Sequence, residues 1–265
     1  MIRVGVLGGL GKMGSTVCSA VDEADDLELV AAFDRSGGVP ASSFRTSAVP
    51  EVSSTRDVLL DAEVAVDFTD ASAAVENLEW CAANGIHVVS GTTGIDEAGF
   101  ERLAAAFGPA DRPNAIIAPN FAISAVLMMH LSEIAAPFFD GAEIIELHHD
   151  DKADAPSGTS IETARRIALA RAESGRGPFE EDLTTRVALE GSRGGSTSDG
   201  VHIHAVRLPG LIAHQMVMFG AKGQTLTIRQ DSYDRTSFMP GVLLAIRRVA
   251  STPGLTVGLD ELLSN

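Results

Sequence analysis

The chain has 265 residues, enough for one large domain or two modest domains with full hydrophobic cores. Its 20 Lys and Arg residues against 36 Asp and Glu residues give a formal net charge of −16. Such an acidic chain repels nucleic acid and anionic membrane surfaces, so we expect neither as a partner. An anionic small ligand would therefore need a locally positive site built from His, Lys, Arg and backbone amides.

Cysteine content and hydropathy bear on the compartment in which the protein works. The two cysteines, Cys18 and Cys81, lie in segments predicted to be helical, and we expect buried thiols rather than a disulfide framework. No apolar run approaches the roughly 18–20 residues that cross a bilayer. Glycines interrupt the first apolar residues too early for a signal peptide. We therefore expect a cytoplasmic protein.

The first half of the chain alternates predicted strands with predicted helices. Strands are predicted at 2–7, 28–33, 64–68, 87–90 and 115–118, and helices at 13–23, 70–84 and 96–107. Asp70 is expected to cap the second of these helices, and Gly85 is expected to close it. The Ser-rich segment 40–50 is predicted to be a loop. This alternation is typical of a doubly wound parallel sheet.

The pattern changes in the second half of the chain. A helix at 123–136, a strand at 142–147 and a helix at 160–172 precede strands at 201–207, 214–220 and 225–231, and a final helix covers 237–251. The segment 191–200 is predicted to be a flexible connection. Short turns between the consecutive strands indicate an antiparallel or mixed sheet.

We therefore predict an α/β fold with two domains. A Rossmann-type doubly wound parallel sheet would occupy 1–121 plus 236–265 and bind a dinucleotide. A second, α+β domain built on a mixed sheet would occupy 122–235.

A glycine-rich turn lies between the first predicted strand and the first predicted helix. Gly9, Gly11 and Gly14 have the spacing G-x-G-x-x-G, which alone identifies only a turn. Here an acid follows Gly14 by 20 positions, at the end of the second strand, and this context favours a dinucleotide site. Glycine lets a pyrophosphate approach the amides of the helix N-terminus. Cofactor contacts are predicted for Gly8, Gly9, Leu10, Gly11, Lys12 and Met13.

The acid after the second strand is Asp34, and Arg35 follows it. A carboxylate at this position accepts hydrogen bonds from the adenosine ribose of NADH, whereas an arginine contacts the 2′-phosphate of NADPH. The adjacent pair therefore predicts that both cofactors are accepted, although either side chain alone could be a solvated surface charge. Further cofactor contacts are expected where strands of a parallel sheet end. These residues are Gly91, Thr92, Thr93, Ala118, Pro119, Asn120 and Phe121.

The segment 146–159, with the sequence ELHHDDKADAPSGT, combines two histidines, a lysine and a predicted helix start. A histidine titrates near about 6.5, so His148 can exchange a proton at neutral pH, while Lys152 can hold a developing negative charge. Catalysis is therefore favoured over two alternatives. One is a metal site made of His148, His149 and nearby aspartates, and the other is a purely structural role.

The helix after this segment is expected to begin at Thr159. Residues 159–162 match a capping box, in which Thr159 and Glu162 satisfy each other's backbone amides. The first amides of the helix, with the Gly158 backbone, would then hold a carboxylate.

Five segments together resemble the dihydrodipicolinate reductase family. They are GGLGKMG at 8–14, VDFT at 66–69, SGTTG at 90–94, APNF at 118–121 and ELHHDDKADAPSGT at 146–159. The resemblance continues through the last strands and the last helix. It implies a nucleotide-binding domain completed by the C-terminal helix, and a middle domain whose mixed sheet forms a homotetramer.

The resemblance also implies a reaction and a set of residue roles. NADH or NADPH would reduce 4-hydroxy-tetrahydrodipicolinate to tetrahydrodipicolinate in the diaminopimelate–lysine pathway, with hydride transfer to ring carbon C4 and overall loss of water. His148 would be the acid–base residue, and Lys152 would be the second catalytic donor. His149, Gly158 and Thr159 would bind the carboxylates of this small dicarboxylate. The expected site contains no metal.

Asp150 and Asp151 depart from the family pattern, which often has neutral or basic residues there. Their charges are expected to raise the pKa of His148. Two other functions remain open. Another dinucleotide-dependent reductase of the aspartate pathway would share only the first domain and would not require the segment 146–159. A non-catalytic regulator that senses a nucleotide would not require Lys152.

Overall fold

The computed structural model describes residues 1–40, 51–108, 112–180 and 182–263. The chain divides into two compact units, one made of Met1–Ala122 with Phe238–Asn265 and the other of Ile123–Ser237. The loop predicted at 40–50 lies outside the described residues from position 41 onward. In the part of the chain that is described, no helix is both long enough and apolar enough to cross a bilayer.

The described secondary structure follows the predicted order of elements. The strands are β1 (Ile2–Leu7), β2 (Leu27–Phe33), β3 (Val39–Pro40), β4 (Glu51–Val52), β5 (Val64–Asp67), β6 (His87–Ser90), β7 (Ala115–Ile117), β8 (Gly141–His148), β9 (Gly195–Ser196), β10 (His202–Arg207), β11 (Ala213–Ala221), β12 (Gln224–Ser232) and β13 (Leu255–Val257). The helices are α1 (Lys12–Asp22), α2 (Ala71–Ala83), α3 (Glu97–Phe107), α4 (Ile123–Ala135), α5 (Gly158–Glu173), α6 (Met239–Val249) and α7 (Asp260–Leu263). Short 3₁₀ helices lie at Arg56–Asp61, Ala136–Phe138 and Arg235–Phe238.

The first unit contains a parallel sheet. Its described strands have the order β13-β7-β6-β5-β1-β2, and every neighbouring pair runs parallel. The chain moves from β1 outwards to β2 and then continues on the other side of β1 through β5, β6 and β7. The loops after β1 and β5 therefore meet where the strand order reverses. This arrangement confirms the predicted doubly wound sheet, and such a reversal is where open α/β sheets bind ligands.

Small and β-branched side chains build the core of this sheet. Val4, Val6 and Val66 are completely buried, as expected for strands that helices cover on both faces. Cys18 and Cys81 are buried as predicted, and burial raises the pKa of each thiol to about 12.

Helix ends in the first unit follow local rules. The Asp70 side chain accepts a hydrogen bond from the amide of Ser72 and caps α2, and Gly85 follows this helix with a φ of 76°. Both features confirm the prediction. Strand β13, Leu255–Val257, was not predicted from the sequence.

The last long helix, α6, belongs to the first unit. It is shorter than the predicted helix at 237–251, because residues 235–238 form a 3₁₀ helix. Its apolar face is buried, with Val242, Ala245 and Val249 completely inaccessible. A Cβ on Gly241 would lie 2.1 Å from the carbonyl oxygen of Phe121, so the close approach of these two segments requires glycine.

The second unit contains a mixed sheet, as predicted. Its described strands have the order β12-β11-β8-β10-β9. Strand β10 runs parallel to β8, whereas β11 runs antiparallel to both β8 and β12. The sequence predicts a flexible connection at 191–200, but the structure places β9 there, paired antiparallel with β10. Helices α4 and α5 contact each other, α4 contacts β11 and β12, and α5 contacts β8.

Candidate active site

The glycine turn after β1 is held by backbone hydrogen bonds to the end of β2. The amides of Gly8 and Gly9 donate to the carbonyl of Phe33 at 2.9 and 3.0 Å. Gly8 has a φ of 79°, which favours glycine. A Cβ on Gly14 would lie 2.0 Å from the Gly8 carbonyl oxygen, so Gly14 lets α1 start directly against the turn. The N-cap of α1, Gly11, provides no side-chain hydrogen bond, and a pyrophosphate fits such a helix start.

The structure brings Asp34 and Arg35 next to this turn. Asp34 Oδ2 accepts a hydrogen bond from the Leu10 amide at 3.2 Å, and Arg35 Nη2 lies 3.0 Å from Asp70 Oδ2. One pocket is lined by Gly8, Gly11, Phe33, Asp34, Arg35, Phe68, Thr69, Asp70, Ala73 and Asn77. The predicted ribose-recognition pair therefore shares a cavity with the glycine turn.

Asp67, at the end of β5, is a buried acid to which the sequence assigned no role. Its carboxylate accepts hydrogen bonds from the hydroxyls of Thr69 at 2.6 Å, Ser90 at 2.9 Å and Thr92 at 2.7 Å. Burial raises the pKa of Asp67, while these hydroxyls oppose the shift. Through these hydrogen bonds, Asp67 links the loop that follows β5 to the loop that follows β6. The sequence feature that could have identified Asp67 is an acid at the end of the otherwise apolar strand VAVD.

The loop after β6 carries three of the predicted cofactor residues. A Cβ on Gly91 would lie 2.1 Å from the ring of Phe68, so glycine is required there. Thr92 is buried, its hydroxyl is bound to Asp67, and its amide donates to Ser90 Oγ at 3.2 Å. Thr92 therefore holds the loop in place, whereas Thr93 is exposed.

The segment after β7 lies beside this loop. The Ala118 amide donates to the Ser90 carbonyl at 2.9 Å, and Asn120 Oδ1 accepts from the Ala122 amide at 2.9 Å. Pro119 is exposed. The ring of Phe121 is buried and packs 5.8 Å from that of Phe68, centroid to centroid. The structure thus gathers the predicted strand-end residues at one edge of the parallel sheet.

His148, in the second unit, is the last residue of β8, one position beyond the predicted end of that strand. Its Nδ1 lies 2.5 Å from Oε2 of Glu146, which has no solvent exposure. Burial lowers the pKa of His148, and the neighbouring Glu146 opposes this shift. The expectation that the pKa is raised is therefore wrong. Asp150 and Asp151 are exposed, and the acid in contact with His148 is Glu146.

Lys152 lies on the loop between β8 and α5. Its Nζ lies 2.7 Å from Asp154 Oδ1, and this contact lowers the pKa of the Asp154 carboxyl. His149 is exposed at the start of the same loop. Within the described ranges, no group of three or more His, Cys, Asp or Glu side chains is arranged to hold a metal ion.

Helix α5 begins at Gly158, and its cap differs from the prediction. Ser157 is the N-cap, and its Oγ accepts from the Ser160 amide at 3.3 Å. The predicted capping box at Thr159 is wrong, because Ser157 already occupies the cap and Glu162 binds Arg165 and Arg166 instead. Apart from its chain neighbours and the backbone of its own helix, no described atom lies within 4 Å of the position that a Gly158 Cβ would take. The start of α5 is therefore open to a ligand at Gly158.

The fold and these residues define a class of protein, a dinucleotide-dependent oxidoreductase with a separate unit that carries proton donors. Residues 2–121 match the family description "Dihydrodipicolinate reductase, N-terminus", and residues 124–263 match "Dihydrodipicolinate reductase, C-terminus". The chain belongs to the dihydrodipicolinate reductase family.

Individual relatives are similar over the whole chain. A 4-hydroxy-tetrahydrodipicolinate reductase of Corynebacterium aurimucosum is 51% identical over 99% of this chain and 98% of its own length. One of Cutibacterium acnes is 49% identical over 99% of both chains. The dipicolinate-bound dihydrodipicolinate reductase from Paenisporosarcina sp. TG-14 has a TM-score of 0.84 and 39% identity, covering 99% of this chain and 100% of its own. These similarities favour the reductase over the regulator and over other reductases of the aspartate pathway.

Proposed function

We propose that this protein catalyses the NAD(P)H-dependent reduction of 4-hydroxy-tetrahydrodipicolinate to tetrahydrodipicolinate, a step of diaminopimelate and lysine biosynthesis. The names of its full-length relatives support this reaction, and the dipicolinate in the Paenisporosarcina structure supports a small dicarboxylate as substrate. The strongest structural support for the proposal comes from the β8–α5 loop. There, His148 and Lys152 each contact an acid beside an open helix start.

The cofactor would lie on the first unit. The turn at Gly8–Met13 and the start of α1 suit the pyrophosphate, and Asp34 suits a ribose hydroxyl. We assign further cofactor contacts to Arg35 and to the strand ends at 91–93 and 118–121. Both NADH and NADPH are proposed as cofactors, and the reduced nicotinamide supplies the hydride.

The substrate would be held by the second unit. We assign its carboxylates to His149, Gly158 and Thr159, because the start of α5 favours an anion. Hydride addition at C4 of the conjugated imine moves electron density towards the ring nitrogen, which then takes up a proton. Lys152 stabilises that charge and His148 exchanges the proton, so the net reaction consumes one proton and releases water.

We also propose that the protein is a cytoplasmic homotetramer assembled through its second unit. The family resemblance supports this assembly. Exposed apolar side chains at Leu127, Leu131, Ile134 and Phe138 provide surface that association would bury. Light scattering coupled to size-exclusion chromatography measures the assembly state directly.

The reaction is tested by following NADH or NADPH oxidation at 340 nm, with substrate generated from aspartate semialdehyde and pyruvate. We expect substrate-dependent loss of absorbance. Absorbance that stays flat with both nucleotides would contradict the proposed function.

A further inference from the structure

Glu146 is completely buried and sits at the centre of a polar network in the second unit. Its Oε2 accepts from His148 Nδ1 at 2.5 Å and from Arg207 Nη1 at 2.9 Å. Its Oε1 accepts from Arg207 Nη2 at 2.9 Å and from the Ser157 amide at 3.2 Å. One carboxylate therefore receives hydrogen bonds from the end of β8, from the end of β10 and from the cap of α5.

Arg207 extends this network to the loop that carries Lys152. Its Nη2 also donates to the backbone carbonyl of Asp154 at 2.7 Å, and the Asp154 carboxylate binds Lys152 Nζ at 2.7 Å. The Glu146–Arg207 pair thus contacts His148 directly and Lys152 through Asp154.

Folding stability alone does not explain why Glu146 and Arg207 are paired here. An ion pair between a buried carboxylate and a partly buried guanidinium contributes little net stability, because removing charge from water is costly. Arg207 Nε is also buried without a hydrogen-bond partner among the described residues, and an unsatisfied buried donor is destabilising. A function in the site explains the pair better than packing does.

We propose that Glu146, together with Arg207, is the positioning residue of the site, orienting His148 and anchoring the loop of Lys152. This inference rests on the function proposed above. By accepting a hydrogen bond from Nδ1, Glu146 leaves Nε2 as the ring nitrogen that faces a reaction partner. One buried acid, Glu146, then fixes the positions of both His148 and Lys152.

The charges around His148 make the inference testable by pH. Glu146 favours the protonated imidazole, whereas burial, Lys152 and Arg207 disfavour it. Replacing Glu146 with Gln removes the favourable charge and lowers the pKa of His148. If protonated His148 delivers the proton, the fall of kcat at high pH shifts to lower pH in Glu146→Gln.

The test compares Glu146→Gln with Glu143→Gln, a matched control in the same strand. Glu143 also binds a histidine and an arginine, His204 at 2.8 Å and Arg193 at 2.7 Å, but it does not contact the loop of Lys152. We expect Glu146→Gln to lower kcat by about tenfold or more, with the KM for NADH unchanged and the pH profile shifted. Glu143→Gln should change neither kcat nor the pH profile.

Glu146→Gln leaves the partly buried Arg207 guanidinium without its carboxylate partner, which weakens folding, so Glu146→Gln/Arg207→Met is made in parallel. It removes both charges, and such replacements are often tolerated. The same loss of kcat in this folded double variant supports the inference. Wild-type kcat in the folded double variant would overturn it while leaving the proposed function intact. A wild-type protein inactive with both nucleotides would contradict the proposed function itself.

Discussion

Arg35 and Asp70 form an ion pair in the lining of the pocket beside the glycine turn, with Nη2 and Oδ2 3.0 Å apart. Arg35 is the side chain predicted to meet the 2′-phosphate of NADPH, and here Asp70 already engages it. An NADPH bound as proposed would have to separate this pair, whereas NADH would not. Asp70 also caps α2.

We predict that Asp70→Asn improves the use of NADPH. Asparagine still caps a helix but cannot form the ion pair. Because both side chains are well exposed, the pair is weak, and we expect a decrease of only about two- to fivefold in the KM for NADPH. The KM for NADH should not change.

Combining Asp70→Asn with Arg35→Ala tests whether Asp70 acts on NADPH through Arg35. If it does, Asp70→Asn has no effect on NADPH in Arg35→Ala/Asp70→Asn. A persistent gain in that double variant would mean that Asp70 repels the phosphate directly.

His148→Ala and Lys152→Ala should each reduce kcat by at least about a hundredfold, which is the typical contribution of a positioned acid–base group. Binding of NADH, measured by nucleotide fluorescence, should survive, because both residues belong to the second unit. The exposed residues His130 and Lys222 provide matched controls for alanine substitution. Normal turnover in both active-site variants would remove these residues from the mechanism.

The sequence predicted the fold because its signals are local. Alternating apolar strands and helices, a glycine turn and the Asp70 cap each occupy a few consecutive residues. Most predicted element ends lie within one or two positions of those observed. The wrong prediction of the α5 cap also has a local cause. The Ser157 side chain accepts the hydrogen bond from the Ser160 amide, so the helix begins two residues before the predicted cap, Thr159.

The candidate site was only partly predictable. Reactive side chains such as His148 and Lys152 stand out in the sequence by type and spacing. The groups that hold them do not, because Glu146 and Arg207 are 61 positions apart and meet only when β8 and β10 pair in parallel. Asp67 was missed for the same reason, since its partners Ser90 and Thr92 come from the next strand and loop.

Gly14→Ala should destabilise the first unit and abolish nucleotide binding. The added Cβ would lie 2.0 Å from the Gly8 carbonyl oxygen, and neither backbone segment yields easily. Overpacking of this kind costs about 1–3 kcal/mol or more of the free energy of unfolding. Gly141→Ala is a suitable control, because no described atom outside its chain neighbours lies within 4 Å of its Cβ position. Unchanged NADH binding in Gly14→Ala would contradict the close contact between the turn and α1.

Asp67 should make stability depend on pH in an unusual direction. Burial raises its pKa in the folded state above the ordinary value of 3.8. Below the pKa of the unfolded chain, both states carry the proton and the contribution of Asp67 to stability is complete. As the pH rises through the folded-state pKa, the folded protein must bury a charge, so this contribution is lost.

Asp67→Asn carries no titrating proton and provides the reference. We expect the free energy of unfolding of the wild type, measured relative to Asp67→Asn, to decrease as the pH rises above the ordinary carboxyl value of 3.8, by up to about 1.4 kcal/mol per pH unit. Denaturant unfolding of both proteins across this range measures the difference, and the other carboxylates cancel because the two proteins share them. A difference that stays constant or increases with pH would show that the three hydroxyls of Thr69, Ser90 and Thr92 compensate fully for the burial of Asp67.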